Sequence, residues 1–568
     1  MRFFKSLTLF TIFLLITLNV SAQSANTNLS VKEVQKLAYG TSVYGYSTLD
    51  PSGPKKFTGK YWGVLSNVLG PGHNWIVIEL NGEYFKNSGI IAGQSGSPVF
   101  VQIKGREYKI GTVSYGENFT KNPIAYLTPI NEVLDSLYEH ISGLGLNHLT
   151  EIKNILVENN LDKLLMQGAV SSGKKAVVKA GVTKEDYIKN IKAGSVLGVQ
   201  LAWGDFDFTG SGTVSHVDGD KIYMFGHPLL QLGPVEYRLV PARVLGVQAS
   251  VISSHIVSFP IEDVGAVGVI TQDREAGIAG MLGREPENHI PVQVNLVTSN
   301  GVKKTFKFNT ISDSWAGPIL IGLGIKSSVS SWSRATGNTT LLVTGNIKID
   351  GETVEFNEAF MDSEFFRENF VGAVDSLFYL FRNKLAAILT NNFSKAKVRG
   401  VTVNVRVFDE VRALTIENVA LDSPVLRSGD KVNFKISLSQ PRLESKMIAL
   451  SINIPDNLSD GIGKIVVGNA DTIGRLENEG VRIVNLATLI ESLNQKRKTD
   501  AIYVYLVYPP SRMEPGTPEE QENPSVKKIS KRLSSNVEEY EISMDDFVIN
   551  GERMLEFKVG TGNGTKRQ

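Results

Sequence analysis

Two short stretches carry residue types that acyl-transfer chemistry uses. GIIAGQSGSPVFV, Gly89 to Val101, sets two serines among glycines ahead of a proline and an apolar run. MFGHPLL, Met224 to Leu230, holds His227 between Gly226 and Pro228. A serine hydroxyl is a poor nucleophile until a base takes its proton and donors stabilise the oxyanion that forms. The glycines around Ser95 let the backbone bend so that the amides of Gly93 and Ser95 converge on one oxygen, and Pro98 stiffens the exit. A tight turn leading into a strand is the plainer reading of the same residues.

A nucleophile elbow of the α/β-hydrolase kind would need glycine at position 97, and this chain has Ser97 there. In the alternative, chymotrypsin-like arrangement, a strand follows the nucleophile and lies beside the substrate backbone, and a helix closes the barrel. KIGTVSYG, with Ser114, Tyr115 and Gly116, and then LTPINEVLDSL stand in that order.

The base must come from seven histidines. His227 follows an apolar strand, and its flanking glycine and proline would hold an imidazole at the strand end. His73 lies in a polar turn, GPGHNW, while His140 and His148 flank a helix end, where positive charge suits the dipole. His216, His255 and His289 lie in strand-like contexts without such punctuation. HVDGD, from His216, offers metal-ligand types, but they straddle a hairpin turn at Asp218-Gly219 with no cysteine or second histidine close by, so no metal and no cofactor is expected. For the acid that orients the imidazole, Asp273 in TQDREAGIAG is the leading candidate, with Asp218, Asp220, Asp205 and Glu79 as rivals. A salt bridge to Arg274, or a strand-end cap, is the plainer role for Asp273.

These residues need a scaffold. The chain has 568 residues, 42% of them hydrophobic, more than one core serves, which predicts about three or four domains. With 59 basic against 58 acidic residues, no net field favours nucleic acid or an anionic membrane. The start, MRFFKSLTLFTIFLLITLNVSAQS, has a charged end, a short apolar run and small residues at Val20-Ser21-Ala22, as a cleaved export signal does. Export to a periplasmic or extracellular location follows, with Gln23 first in the mature chain and no membrane attachment after cleavage. Cysteine is absent, so disulfides contribute nothing.

The predicted fold is mainly β. Residues 30–145 form a serine-bearing β-barrel after the signal peptide, 1–22, and residues 146–193 a helical connector. A histidine-bearing β-barrel occupies 194–350. In 360–394, Phe366, Phe370, Val374, Leu377, Phe381, Leu385 and Ile388 recur at helical spacing, a long amphipathic helix. In 400–568, alternation in VTVNVRV, DKVNFKISL and IALSINIP predicts antiparallel strands of an Ig-like β-sandwich, with SRMEPGTPEEQENPSVKK as a mobile loop. Thr128 and Pro129 are the expected N-cap and first residue of the helix in LTPINEVLDSLYEHI.

Taken together, the pieces GIIAGQSGSPVFV…KIGTVSYGENFTKNPIAYLTPI and GTVSHVDGDKIYMFGHPLL…VGVITQDREAGIAG resemble the stage IV sporulation protein B (SpoIVB) peptidases, serine endopeptidases of chymotrypsin-like fold. The likeness spans roughly residues 35 to 300, about half the chain. It implies Ser95 as nucleophile, His227 as base, Asp273 as the polar supporter of the histidine, the Gly93 and Ser95 amides as oxyanion hole, and Ser114, Tyr115 and Gly116 beside the substrate. In the sporulation peptidases the histidine half comes first; here it comes second, as in longer bacterial members, so the resemblance implies a permuted double barrel. No PDZ-like region precedes the peptidase part, and the carboxylate that some members carry before the serine motif is replaced around Leu80 and Asn81. Gln94 stands where trypsin-like zymogens use an aspartate to bind a freed N-terminus, and an amide cannot make that ion pair. The expected activity is an exported, cofactor-independent serine endopeptidase acting on protein or peptide substrates. The rival readings are a peptidase scaffold retained as a binding or cell-envelope protein, and an adhesin-like protein whose sandwich does the work.

Overall fold

The computed structural model describes residues 27–65, 74–116, 122–136, 183–248, 254–330, 332, 338–362, 372–440, 443–456, 458–478, 482–494, 497–509, 526–528, 537–544 and 546–560. The expected signal peptide, His73, His140, His148, Phe366, Phe370 and most of the expected connector and mobile loop lie outside them. The fold is mainly β, and the chain divides into two compact units, Met1–His289 and Ile290–Gln568.

The first unit contains two closed six-stranded antiparallel barrels. The serine-bearing barrel is built from β1 (Ser42–Thr48), β2 (Pro54–Leu65), β3 (Trp75–Asn81), β5 (Pro98–Ile103), β6 (Arg106–Gly116) and β7 (Ile124–Pro129), in the order β1-β2-β3-β7-β6-β5. Alternation fixes which face turns inward: Ile76, Ile78 and Leu80 of β3 point into a core shared with Val43, Val99, Val101 and Val113. The short strand β4 (Ile91–Ala92) leaves this barrel and pairs in parallel with β12 (Ser254–Pro260).

The histidine-bearing barrel runs β8 (Val196–Gly204), β9 (Phe208–Asp218), β10 (Lys221–Met224), β14 (Gly277–Leu282), β13 (Gly268–Arg274) and β11 (Gly233–Gln248), and β11 closes it on β8. It is complete at Leu282, well short of residue 350. Its β9–β10 turn is Gly219-Asp220, with Asp218 still paired to Lys221 and Gly219 at φ +61°, one residue later than the pattern predicts. Asp273 lies near the end of β13, not at a strand start.

The helix after the serine barrel corrects an expectation. It spans Ile130–Asp135, and the residue before it, Pro129, still belongs to β7. Thr128 does not cap it, because the threonine hydroxyl is engaged with Gly226 and Ser114 at the junction of the two barrels. Ile130 and Val133 pack on Tyr223 and Ala279 of the second barrel.

In the second unit, the strand Val398–Phe408 holds VTVNVRV. It pairs antiparallel with Thr339–Ile349 and parallel with His289–Val297, so it lies outside the sandwich sheets. Alternation correctly gave its buried face but carries no information on its partner. The sandwich itself has a four-stranded and a six-stranded sheet. Val432, Phe434, Ile436 and Leu438, alternate residues of Lys431–Gln440, meet Ile465, Val467, Val504 and Phe557 of the other sheet in one core. The amphipathic helix is described over Ala373–Leu389 and buries Val374, Leu377, Phe381, Leu385 and Ile388, the expected stripe.

Candidate active site

The serine turn sits between β4 and β5, and backbone hydrogen bonds hold it. Gln94 N–H donates to the Ile91 carbonyl (3.1 Å), Ser97 N–H to the Gln94 carbonyl (2.8 Å) and Gly96 N–H to the Val113 carbonyl (2.7 Å). Because the Gln94 carbonyl is turned inward to Ser97, the N–H of the same peptide, that of Ser95, points away from the turn, and it has no partner among the described residues. That is the orientation an oxyanion donor needs. Gly93 (φ +95°) and Gly96 (φ +92°) occupy the left-handed region that makes this path possible. A Cβ on Gly96 would also collide with the Thr213 carbonyl and stand 2.6 Å from the Phe225 nitrogen.

Thr213 brings the second barrel to the turn. Its N–H donates to the Ser95 carbonyl at 2.9 Å, and its hydroxyl donates to the Gly93 carbonyl at 3.1 Å. Thr213 is fully buried on β9, in the GTVSHV segment. Sequence reasoning singled out that segment but gave this residue no role.

The histidine loop begins at the end of β10. Phe225 and Gly226 both have φ +72°, an uncommon conformation for phenylalanine, and the loop packs on the serine barrel. Thr128 Oγ1 donates to the Gly226 carbonyl and shares a 2.7 Å hydrogen bond with Ser114 Oγ. Gly226 is so close to β6 that a Cβ there would stand 2.5 Å from Ser114 Oγ and collide with Thr112. Ser114, buried on β6, thus takes its place beneath the histidine loop, and Tyr115 packs its ring 5.6 Å from that of His227. Gly116, at the end of β6, is exposed.

His227 is half-buried, with the rings of Phe225 and Tyr115 each 5.6 Å from its own. Its Nδ1 lies 2.7 Å from the Pro228 carbonyl oxygen. A carbonyl can only accept, so Nδ1 carries the proton, and in the neutral ring Nε2 is left with a free lone pair. Burial pulls the imidazole below its ordinary pKa, against the Pro228 carbonyl, which favours the charged form. The ring is therefore a neutral base at physiological pH.

Asp273 does not touch that ring. Its fully buried carboxylate accepts hydrogen bonds from the amides of Leu229 and Leu230, both at 2.8 Å, and from the Tyr237 hydroxyl at 3.0 Å. Burial pushes the carboxyl up, opposed by the Leu230, Leu229 and Gln231 amides and by Tyr237. All of these partners are donors, so the geometry is that of an ionised carboxylate. Arg274 turns instead to Gln272, its Nε 2.8 Å from the amide oxygen, so the salt bridge does not form. Asp273 clamps the two residues after Pro228 and thereby positions the histidine loop. Two rivals, Asp218 and Asp220, lie at the exposed β9–β10 turn.

Ser95 Oγ makes one long hydrogen bond, to the Ser114 carbonyl at 3.5 Å, and none to His227. Ser95 and His227 are thus brought to one junction by Thr213, Thr128 and Gly226 without being hydrogen-bonded to each other. Gln94 is fully buried, and its amide atoms have no partner among the described residues. Among the described residues, no group of three potential ligands is placed to hold a metal ion, and no helix is long and apolar enough to cross a membrane. No protein-family model matches the chain, and no curated protein matches it.

Proposed function

We propose that the protein is an exported serine endopeptidase related to the SpoIVB peptidases, which cleaves protein or peptide substrates through an acyl-enzyme. One observation carries this reading: the glycine-bent turn of Ser95 and the loop of His227 meet at one barrel junction, with the Ser95 amide unpartnered and the imidazole in the tautomer a base requires.

In the reaction, Ser95 Oγ attacks the substrate carbonyl carbon while His227 Nε2 takes the hydroxyl proton. The negative charge that develops on the carbonyl oxygen is met by the Ser95 N–H, with Gly93 N–H as the expected second donor. Collapse breaks the C–N bond, and the proton on Nε2 passes to the leaving amine. Water, activated by the same nitrogen, then hydrolyses the ester and returns the proton to Ser95. The Nδ1 proton stays on Nδ1, donated to the Pro228 carbonyl, so a neutral oxygen orients the base where many serine peptidases use a carboxylate.

A second reading, a peptidase scaffold kept as a binding protein, draws support from the Ser95 hydrogen bond to Ser114 in place of one to His227. Labelling the purified mature protein with a small dialkyl fluorophosphate separates the two, since only an activated serine reacts. Labelling of the wild type that is lost in Ser95→Ala and His227→Ala supports the peptidase. An unlabelled wild type supports the binding protein. N-terminal sequencing of the secreted protein tests export, with Gln23 as the expected first residue.

A further inference from the structure

Ile90 belongs to the segment that leads to Ser95, yet the acyl-transfer machinery does not use it. The chain is pinned on both sides of this residue. Ser254 Oγ donates to the Ser88 carbonyl, and Ile91 and Ala92 pair with Ser254 and His255 of β12. The Ile90 side chain lies on the α-carbon of Gly116: a Cβ at Gly116 would stand 2.5 Å from Ile90 Cγ2 and 2.7 Å from its Cβ and Cγ1.

Those two segments bound the space that a substrate side chain must enter. Pairing of β6 with β5 ends at Pro98 opposite Thr112, and Val113 is spent on Ser97 and Gly96. The β5-side edge of β6 from Ser114 to Gly116 is therefore where an extended peptide can add as a further strand. Ser95 Oγ, 3.5 Å from the Ser114 carbonyl, sets the position of the attacked carbonyl along that edge. The residue that owns this carbonyl then faces Ser114, and its side chain projects between the 88–92 segment and the end of β6. In serine peptidases the depth of this recess decides which residue is accepted. Here Ile90 is the side chain that packs on Gly116 at the end of β6.

We propose that Ile90, packed on Gly116, closes the recess beside Ser95, so that the site accepts protein segments with glycine, alanine or serine on the acyl side of the cleaved bond. The inference rests on the serine-peptidase reading. An acyl-side leucine or phenylalanine would have to displace a branched side chain whose backbone is held from two directions. Rejection of bulk beyond alanine is expected to be about tenfold or more.

The test uses the full mature protein and three probes that phosphorylate or phosphonylate an activated serine: a small dialkyl fluorophosphate, which loses fluoride, and peptidyl diphenyl phosphonates ending in the alanine or the phenylalanine analogue, which lose phenol. The first probe reports the nucleophile regardless of the recess. Labelling by it, with the alanine probe reacting at least about tenfold faster than the phenylalanine probe, is the expected result. Ile90→Ala should then narrow or reverse that preference, and Ile90→Val, which removes a single methylene and perturbs folding less, should move it the same way by a smaller factor. Fluorophosphate labelling with equal or faster reaction of the phenylalanine probe overturns the recess proposal alone. No labelling by any probe overturns the peptidase reading, and the recess with it.

Discussion

The turn around Ser95 is held mainly by backbone groups of neighbouring strands, whereas the stretch that follows Pro228 in the histidine loop is gathered by one buried carboxylate. On the serine side, Gln94, Gly96 and Ser97 amides and the Thr213 N–H make the bonds, and glycine conformations set the path. On the histidine side, Asp273 gathers the Leu229 and Leu230 amides and the Tyr237 hydroxyl. The first arrangement should tolerate side-chain changes that leave the backbone alone. The second depends on the charge and shape of one side chain.

The largest expected effect follows from the first half of that contrast. Ser95→Ala removes one oxygen whose hydrogen bond to Ser114 is long, from a turn whose backbone bonds do not involve it. Turnover should fall on the order of a millionfold, with the thermal midpoint of unfolding unchanged. Peptide hydrolysis and a melting curve check both halves. A large loss of stability would show that the turn depends on the hydroxyl after all, and inactivation by Ser97→Ala in its place would move the nucleophile.

A third joint between the barrels lies further back along β6. Lys109, buried, donates from Nζ to the Ser215 carbonyl at 3.0 Å and meets His216 Nδ1 at 3.1 Å, both on β9. Burial pulls the Lys109 amine down to about 8, opposed by Glu107, and burial together with Lys109 pulls His216 down to about 4, opposed by Asp218. Both groups hold their protons less well in the folded state. Between the folded value and the ordinary one, the unfolded chain binds more protons, so stability rises with pH through each window. For Lys109 the window runs from about 8 to 10.5 and amounts to roughly 3 kcal/mol. For His216 stability falls as pH drops from 6.5 towards about 4. Chemical denaturation across pH should show the alkaline rise in the wild type and lose it in Lys109→Met. A flat wild-type profile would mean the lysine is hydrated.

How much of this is legible in the sequence follows from the same contrast. Glycine-coded geometry is local, so GQSGSP alone shows where the backbone bends. The barrels and the sandwich are legible too, because alternation reports a buried face over a few residues. Long-range choices are not. Asp273 is buried and fully engaged but not with the expected partner, since nothing in TQDREAG says whether a carboxylate will reach an imidazole or the amides beside it. Thr128 has every mark of an N-cap, and tertiary contact with Ser114 and Gly226 outweighs that local preference. The Thr213 N–H and the Pro228 carbonyl are backbone groups, and the packing of Ile90 on Gly116 is a contact any branched side chain could make, so none of them leaves a signature in residue type.

Asp273→Asn probes the carboxylate clamp. The amide would set an NH2 group against donors, leaving one of them unpaired at a cost of about 1–3 kcal/mol. Displacement of the histidine loop should lower kcat about ten- to hundredfold. A direct imidazole partner would be worth up to about ten-thousandfold, because its loss changes the tautomer. The acid limb of the activity profile separates the two roles. It reports His227, should lie below the ordinary histidine value because burial disfavours the imidazolium, and should stay in place in Asp273→Asn, since the Pro228 carbonyl is untouched. A shifted limb would return Asp273 to the ring.

The smallest effect is expected where the two halves of the comparison meet. Thr213→Val keeps the N–H that donates to the Ser95 carbonyl and removes only the hydroxyl that donates to Gly93 at 3.1 Å. Valine has the same shape and suits a strand, so β9 should be undisturbed. One neutral hydrogen bond is worth about 0.5–1.5 kcal/mol, so a stability loss of about 1 kcal/mol is expected. If the backbone holds the serine turn, the Gly93 peptide loosens without the turn opening. Reaction with the dialkyl fluorophosphate should then slow by less than about tenfold, with Thr213→Ser restoring the wild-type rate. A loss approaching that of Ser95→Ala, rescued by serine, would show that a side-chain hydroxyl also governs the serine turn. The two sides of the junction would then be built on the same principle.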